Sequence, residues 1–223
     1  TSIALKFWQN KVSVIPLGIN KSRLPIATKN SLDIVNSIWG DDKFKVLTIG
    51  RLTYYKGHNI LLKSLKNIDN IKLILVGKGE LKYKLLSLIE ELNLSNKVKI
   101  LDDSPSYEIV SALLMTCDCF CLPSIERTEA FGMVLLEASY CAKPIISCNI
   151  EGSGVTWVIE DKNTGILVPP NNVNSLASAL NYLNKNPNNA INLGIQAKNR
   201  FDKVFDINKI SRTISKLYKS IIN

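Results

Sequence analysis

One histidine stands in the whole chain, His58. A lone imidazole excludes a His-rich metal cluster, and no motif around it supports a Ser-His-Asp triad. Its expected role is helix capping or surface packing. Cysteines number five, an odd count that argues against a disulfide framework. Cys117, Cys119 and Cys121 alternate, which is not metal-ligand spacing. They are expected to be small buried residues in a reducing compartment, and no metal site is expected. Acidic residues are scarce beside basic ones, 19 against 28, for a formal charge of +9. That balance favours anionic partners: nucleotides, phospholipid head groups or nucleic acid. No apolar run approaches the ~20 residues needed to span a bilayer, and no secretory leader is read at the N-terminus. Repeats and low-complexity tracts are lacking. The Gly-x-Gly-x-x-Gly fingerprint of dinucleotide dehydrogenases is incomplete, because Gly77-Lys-Gly79 leads to Lys82 rather than glycine. Gly77 and Gly79 then serve a tight turn and close helix–strand packing.

What the chain does have is apolar residue in quantity. Of 223 residues 46% are hydrophobic, ample for one globular core. The first residue is Thr, so a piece of a longer or processed protein is expected. Residues 1–11 read as the end of a helix. Val12–Asn20 reads as a short apolar strand turned by Pro16 and Gly18. A short helix over 31–39 should pack Trp39 on the domain. Six apolar runs then alternate with helical periodicity: Phe44–Gly50, Ile71–Val76, Lys97–Leu101, Cys117–Leu122, Lys143–Cys148 and Thr164–Pro170. The helices fall after Gly57, near Leu81, over Tyr107–Met115, Met133–Tyr140 and Val155–Ile159, and over 173–184 and 188–200. Alternation of this kind predicts one doubly wound α/β domain. The expected order of its parallel six-stranded, Rossmann-like sheet is 3-2-1-4-5-6, with the ligand crevice between strands 1 and 4.

The organising stretch is Glu129-Ala-Phe-Gly-Met-Val-Leu-Leu-Glu137, two carboxylates bracketing a loop that tightens into a helix. It follows a strand, so it lies at the carboxyl edge of the sheet, where ligands bind. A helix N-terminus there suits phosphate. Two glutamates beside it suit a ligand that also carries hydroxyls. The loop after strand 1, Arg51-Leu-Thr-Tyr-Tyr-Lys56-Gly57, offers one planar fork and one point charge for phosphate oxygens. Loops some eighty residues apart, as the sequence shows, therefore converge on one crevice.

Four segments in order carry a resemblance. Glu129-x7-Glu137 resembles the EX7E motif of retaining glycosyltransferases of the GT-B fold, family GT4 in particular. Gly50-Arg51-Leu52 through Lys56-Gly57 resembles that family's G-R-L-x-x-x-K-G loop. Val12–Asn20 is similar to its interdomain linker, and Thr164–Pro170 to its "TGLLVPP" strand. Gly154-Val-Thr-Trp157 departs from the usual Gly-x-Pro-Glu and looks more like a variant in transferases that build bacterial O-antigens. The resemblance implies the C-terminal half of a GT-B fold, with residues 1–40 as the end of the N-terminal half and linker, 41–200 as the nucleotide-sugar domain, and 201–223 as a C-terminal helix.

It also implies roles. Arg51 and Lys56 hold the diphosphate and offset charge on the leaving nucleotide, so that with Glu129 they form the catalytic set. Gly50, in the same loop, is a substrate-binding residue. Backbone N–H groups from Phe131, Gly132, Met133 and Val134 cradle phosphate and sugar oxygens. Glu129 orients the sugar and Glu137 holds the ribose diol. Leu101 lies beside the base, whose identity stays open between UDP- and GDP-linked donors. No cofactor is implied. Implied partners are a nucleotide sugar and the absent N-terminal domain with its acceptor site, without nucleic acid, in the cytoplasm. Two further readings stand beside this one: a nucleotide-sugar 2-epimerase of the same plan, and a non-enzymatic basic module binding nucleotide or nucleic acid. The segment Asp206–Ile222 is amphipathic. Ile207, Ile210, Ile214, Leu217, Tyr218 and Ile221 share one face, and Lys203, Lys209, Arg212, Lys216 and Lys219 surround it. Packing of that face on a protein core is favoured, with peripheral contact on the inner face of the plasma membrane as the other reading.

Overall fold

The computed structural model describes residues 3–23, 26–40 and 43–222. Among these, a single sheet contains β1 (Phe44–Ile49), β2 (Ile71–Val76), β3 (Val98–Leu101), β4 (Cys119–Leu122), β5 (Ile145–Cys148) and β6 (Gly165–Val168). All neighbouring pairs are parallel, in the order 3-2-1-4-5-6 that alternation predicts. Helices connect them: α1 (Lys29–Trp39), α2 (His58–Ser64), α3 (Lys82–Glu91), α4 (Tyr107–Thr116), α5 (Met133–Tyr140), α6 (Val155–Val158), α7 (Val173–Lys185), α8 (Pro187–Arg200) and α9 (Ile207–Ile222).

Strands buried on both faces read as apolar runs, and the pleat sorts alternate residues into two cores. Val46, Leu73, Leu75, Cys119 and Cys121 join one core with Leu61, Leu85 and Leu180. Leu47, Ile74, Phe120 and Leu122 join the other with Trp39, Leu136 and Phe201. Cys119 and Cys121 are thus small side chains on one crowded face, whereas Cys117 packs in the other core. All five are free thiols. β4 begins two residues later than the apolar run, because Cys117 still donates to Leu113 O at the end of α4. Asp118 exchanges bonds with Lys45 instead, its N–H to Lys45 O and its Oδ2 accepting the Lys45 N–H.

α1 starts on a capping box: Thr28 Oγ1 accepts from Ser31 N–H and Ser31 Oγ from Thr28 N–H. It delivers Trp39 into the core at 1% exposure, with Nε1 donating to Thr116 Oγ1 at 2.9 Å. The expected strand at Val12 does not form. Pro16 lacks an N–H, Val12 and Val14 are exposed, and pairing is confined to a single bridge between Ile19 and Asp206. Residues 3–11 are helical as expected, in the form of a 3-10 helix kinked at Trp8; the first two residues of that expected segment lie outside the described ones.

At the other end, α8 passes through a π-turn over Phe201–Phe205 into α9. Phe201 stacks edge-on against Tyr140, centroids 5.5 Å apart, and Phe205 against Phe131 at 6.2 Å. Beyond them only Ile210 of α9 is buried. Ile214, Tyr218 and Ile221 are exposed, so this chain does not itself supply the core that the amphipathic face was expected to meet.

Candidate functional site

The site is built where the β1 and β4 loops meet. After Ile49, Gly50 donates to Val76 O at 3.0 Å, and Leu52 to Lys78 O at 2.7 Å. This close approach explains the two glycines after β2. A Cβ on Gly77 would lie 1.9 Å from Gly50 O, and one on Gly79 2.3 Å from Leu52 O. Tyr54–Lys56 then makes a 3-10 turn that ends on Gly57 at φ 66°. A side chain at Gly57 would also meet Pro123 O at 2.1 Å. Glycine is required here twice over, by conformation and by space. The turn is pinned across to the β4 loop by Ile125 N–H donating to Tyr55 O at 2.8 Å.

That clamp seats Lys56 on Glu129. Nζ donates to Oε2 at 2.5 Å, with the two residues 8% and 7% exposed. Ser124 Oγ donates to the same Oε2 at 2.7 Å. Glu129 Oε1 takes no hydrogen bond among the described residues. Its own carbonyl accepts from Ser153 Oγ at 2.5 Å, and Ala130 O from Gly154 N–H at 2.7 Å. A buried charge held from three sides presents one free oxygen in a fixed place, with two ammonium protons beside it.

Gly132 follows at φ 75°, a left-handed N-cap that starts α5 at Met133. Phe131 and Val134 are partly buried beside it and Met133 is 40% exposed. One turn on, Glu137 is half-buried with no hydrogen-bond or ion-pair partner among the described residues. Burial pushes its carboxyl pKa up, and its charge raises the Tyr107 phenol in turn, after burial of the phenol itself.

Arg51 is exposed and makes no salt bridge among the described residues. Hydrogen bonds from the Thr53 side chain and the Glu80 backbone lower the Glu80 carboxyl pKa, and the Arg51 charge is near enough to act in the same direction. With Gly50, Val76, Gly77, Leu101 and Pro105 it lines a cavity of about 410 Å³. Neither glutamate lines that cavity. The expected residues therefore fall into two neighbouring groups along one sheet edge. Gly50, Arg51 and Leu101 share a pocket. Lys56, Glu129 and the start of α5 form the adjoining cluster, and Gly50 touches both, since a Cβ there would sit 3.2 Å from Lys56 Cε.

Two supporting residues escaped the sequence reading. Ser124 and Ser153 fix Glu129, and nothing marks a serine for such a task in advance. His58 also supports the site, and corrects the surface role expected of it. It is 1% exposed, and Nε2 lies 3.1 Å from Arg51 O. Burial, foremost, lowers its pKa to about 4, with the nearby Lys56 charge acting in the same direction. The ring is neutral, its Nε2–H holds the Arg51 backbone, and Nδ1 is buried without a partner.

The sheet order and the loops that meet at its carboxyl edge define a doubly wound α/β fold, and comparison with known proteins gives the family. The family described as "Glycosyl transferases group 1" matches residues 32–200. The chain belongs to this family. It is 31% identical over 224 residues to the O-antigen chain mannosyltransferase C of Escherichia coli, covering 100% of this chain and 58% of that protein. It is 33% identical over 205 residues to the D-rhamnosyltransferase WbpZ of Pseudomonas aeruginosa, covering 92% and 52%. The chain thus spans a little over half the length of these relatives. Its fold matches HepE of Anabaena, solved in complex with UDP, at a TM-score of 0.82 and 24% identity, covering 93% of this chain and 57% of that one. HepE was also solved with UDP-glucose. The architecture is that of the C-terminal half of a GT-B glycosyltransferase.

Proposed function

We propose that this chain is the donor-binding half of a retaining, GT4-type hexosyltransferase that elongates a bacterial surface polysaccharide such as O-antigen. The acceptor is a saccharide or a lipid-linked glycan. The observation that carries this reading is the Lys56–Glu129 pair, which leaves one carboxylate oxygen and two ammonium protons free at the carboxyl edge of the sheet. The donor is a UDP- or GDP-linked sugar. Arg51 and Lys56 take the diphosphate and stabilise charge as the nucleotide departs. Backbone groups of Phe131–Val134 hold phosphate and sugar oxygens. Glu129 Oε1 receives a sugar hydroxyl, and Glu137 receives the ribose diol. Leu101 and the cavity around it receive the base. The catalytic lever is electrostatic and calls for no metal or cofactor.

The enzyme works in the cytoplasm, on the inner face of the plasma membrane. Support for that contact comes from α9, which carries Lys209, Arg212, Lys216 and Lys219 and no acid, with its apolar side largely uncovered. No helix among the described residues is long and apolar enough to cross a membrane. Acceptor binding is completed by the N-terminal half, so this half binds donor without transferring sugar by itself.

A thermal-shift panel of UDP, GDP, ADP and their sugars tests the reading. A true donor at a hundred times its Kd adds about 2.7 kcal/mol. No shift with any nucleoside diphosphate, against a salt-sensitive shift with nucleic acid, would replace a transferase with a basic binding module.

A further inference from the structure

On a chain of net charge +9, one concavity of about 760 Å³ is lined by no lysine or arginine. It lies at the carboxyl end of β5 and is formed by Val14, Asn149–Gly154, Thr156 and Trp157. Its volume falls in the ~300–1,000 Å³ range of small-ligand clefts. Three features give it a chemical character.

The first is Trp157, 43% exposed, an indole on a wall of the concavity. Its backbone is immobilised: Arg200 Nη2 donates to Trp157 O at 2.7 Å and Arg200 Nε to Val158 O at 3.1 Å, while Arg200 also pairs with Glu160. The second is a set of unengaged polar groups. The Asn149 amide and Glu151 carboxylate make no side-chain hydrogen bond or ion pair among the described residues. The third is position. Ser153 and Gly154, on its floor, bond the carbonyls of Glu129 and Ala130, so the concavity adjoins the candidate donor site through one layer of backbone.

Arg127 stands at the rim with its guanidinium against Gly152, where a Cβ would lie 2.9 Å away, but the groups that line the concavity are an acid, an amide and an indole. They suit a neutral ring that has an apolar C–H face and a rim of hydroxyls: the face lies on the indole, and the hydroxyls bond to carboxylate and amide. We propose that this concavity is a saccharide subsite, separate from the donor site, that holds a neutral sugar ring of the acceptor. The proposal rests on the transferase reading above. It assigns to this half a share of acceptor recognition, with Trp157 as stacking platform and Glu151 and Asn149 as hydroxyl partners.

The experiment is saturation-transfer NMR on the chain with methyl α-D-mannopyranoside and α-mannobiose, beside calorimetry with UDP and GDP. The glycosides should bind weakly. Trp157→Ala should weaken them at least tenfold, Trp157→Phe should restore part of the loss, and Glu151→Gln should weaken them several-fold. UDP and GDP affinity should stay the same in all three. Glycoside binding indifferent to Trp157→Ala and Glu151→Gln overturns the subsite. Nucleotide binding with no glycoside binding overturns it too, while leaving the donor reading intact. Glycoside binding with no nucleotide binding sinks the donor reading alone. If Trp157→Ala does not fold, the exposed Glu151→Gln and Asn149→Ala variants decide by the same readout.

Discussion

Lys56 and Glu129 meet at 2.5 Å across 73 residues of sequence, both almost wholly buried. The pair welds the β1 loop to the β4 loop. It also means that neither residue is a free charge: each offsets the other in a nearly dry setting.

Lys56→Ala should therefore do two things. It leaves Glu129 buried and unpaired, which typically costs 3–5 kcal/mol of stability. It should also weaken UDP or GDP much more than uridine or guanosine. Adding Glu129→Gln to Lys56→Ala should recover most of the stability and none of the diphosphate affinity. Denaturation curves and calorimetry check both halves. Equal losses for nucleoside and diphosphate would remove Lys56 from the phosphate contact.

Arg51 gives a cleaner probe, because its exposed guanidinium makes no salt bridge among the described residues and only a longer-range interaction with the exposed Glu80. Arg51→Lys should leave the melting temperature unchanged yet weaken diphosphate binding, since a point charge cannot replace a bidentate fork. Undiminished affinity would assign the anion contact elsewhere.

Glu137 and Glu129 should separate. Glu137 is desolvated with nothing to offset it, so Glu137→Gln should leave stability equal or higher. It should nonetheless weaken nucleotide roughly tenfold, because charge-assisted hydrogen bonds contribute about 1.5–3 kcal/mol. The mutant should hardly distinguish a 2′,3′-dideoxynucleotide from its parent. Glu129→Gln should keep nucleoside diphosphate affinity and lose the increment that the sugar adds. Should neither glutamate respond, the EX7E spacing is a coincidence here.

His58 makes the fold acid-sensitive. Its folded pKa, about 4, lies below the ordinary 6.5, so below pH 6.5 the unfolded chain binds the proton more readily. Stability contributed by the neutral ring is present above that pH and is lost as pH falls towards 4, by roughly 3 kcal/mol. His58→Gln, which can still donate to Arg51 O, should flatten that slope in urea titrations between pH 4 and 7. An unchanged slope would assign the acid sensitivity to carboxylates.

The strand order and the meeting of the Arg51–Gly57 and Glu129–Glu137 loops were legible because apolar period and glycine position are local signals. Gly57 and Gly132 mark left-handed turns that few other residues adopt. The pairing of Lys56 with Glu129 was not legible. A lysine at a strand's end looks the same whether it faces solvent or a carboxylate, and only the packed loops decide. His58 misled for a related reason: its burial comes from the β1 loop folding over the first turn of α2. The free face of α9 reads as core from its period alone, since periodicity shows that a side is apolar and not what covers it.

The ring contacts beyond α8 redraw the smallest self-sufficient piece of this domain. The family match stops at residue 200, yet Phe131, two residues past Glu129, leans on Phe205, and Tyr140 leans on Phe201. A chain cut at the family boundary would keep every strand while stripping one wall from the loop that launches α5. Ile19, Ala27, Phe201 and Phe205 pack on one core from outside the matched stretch, and Thr28 caps the helix that plants Trp39. Removing α9 beyond Ile210 should cost that core little, whereas removing Phe201–Phe205 should loosen the seat of Glu129 from behind.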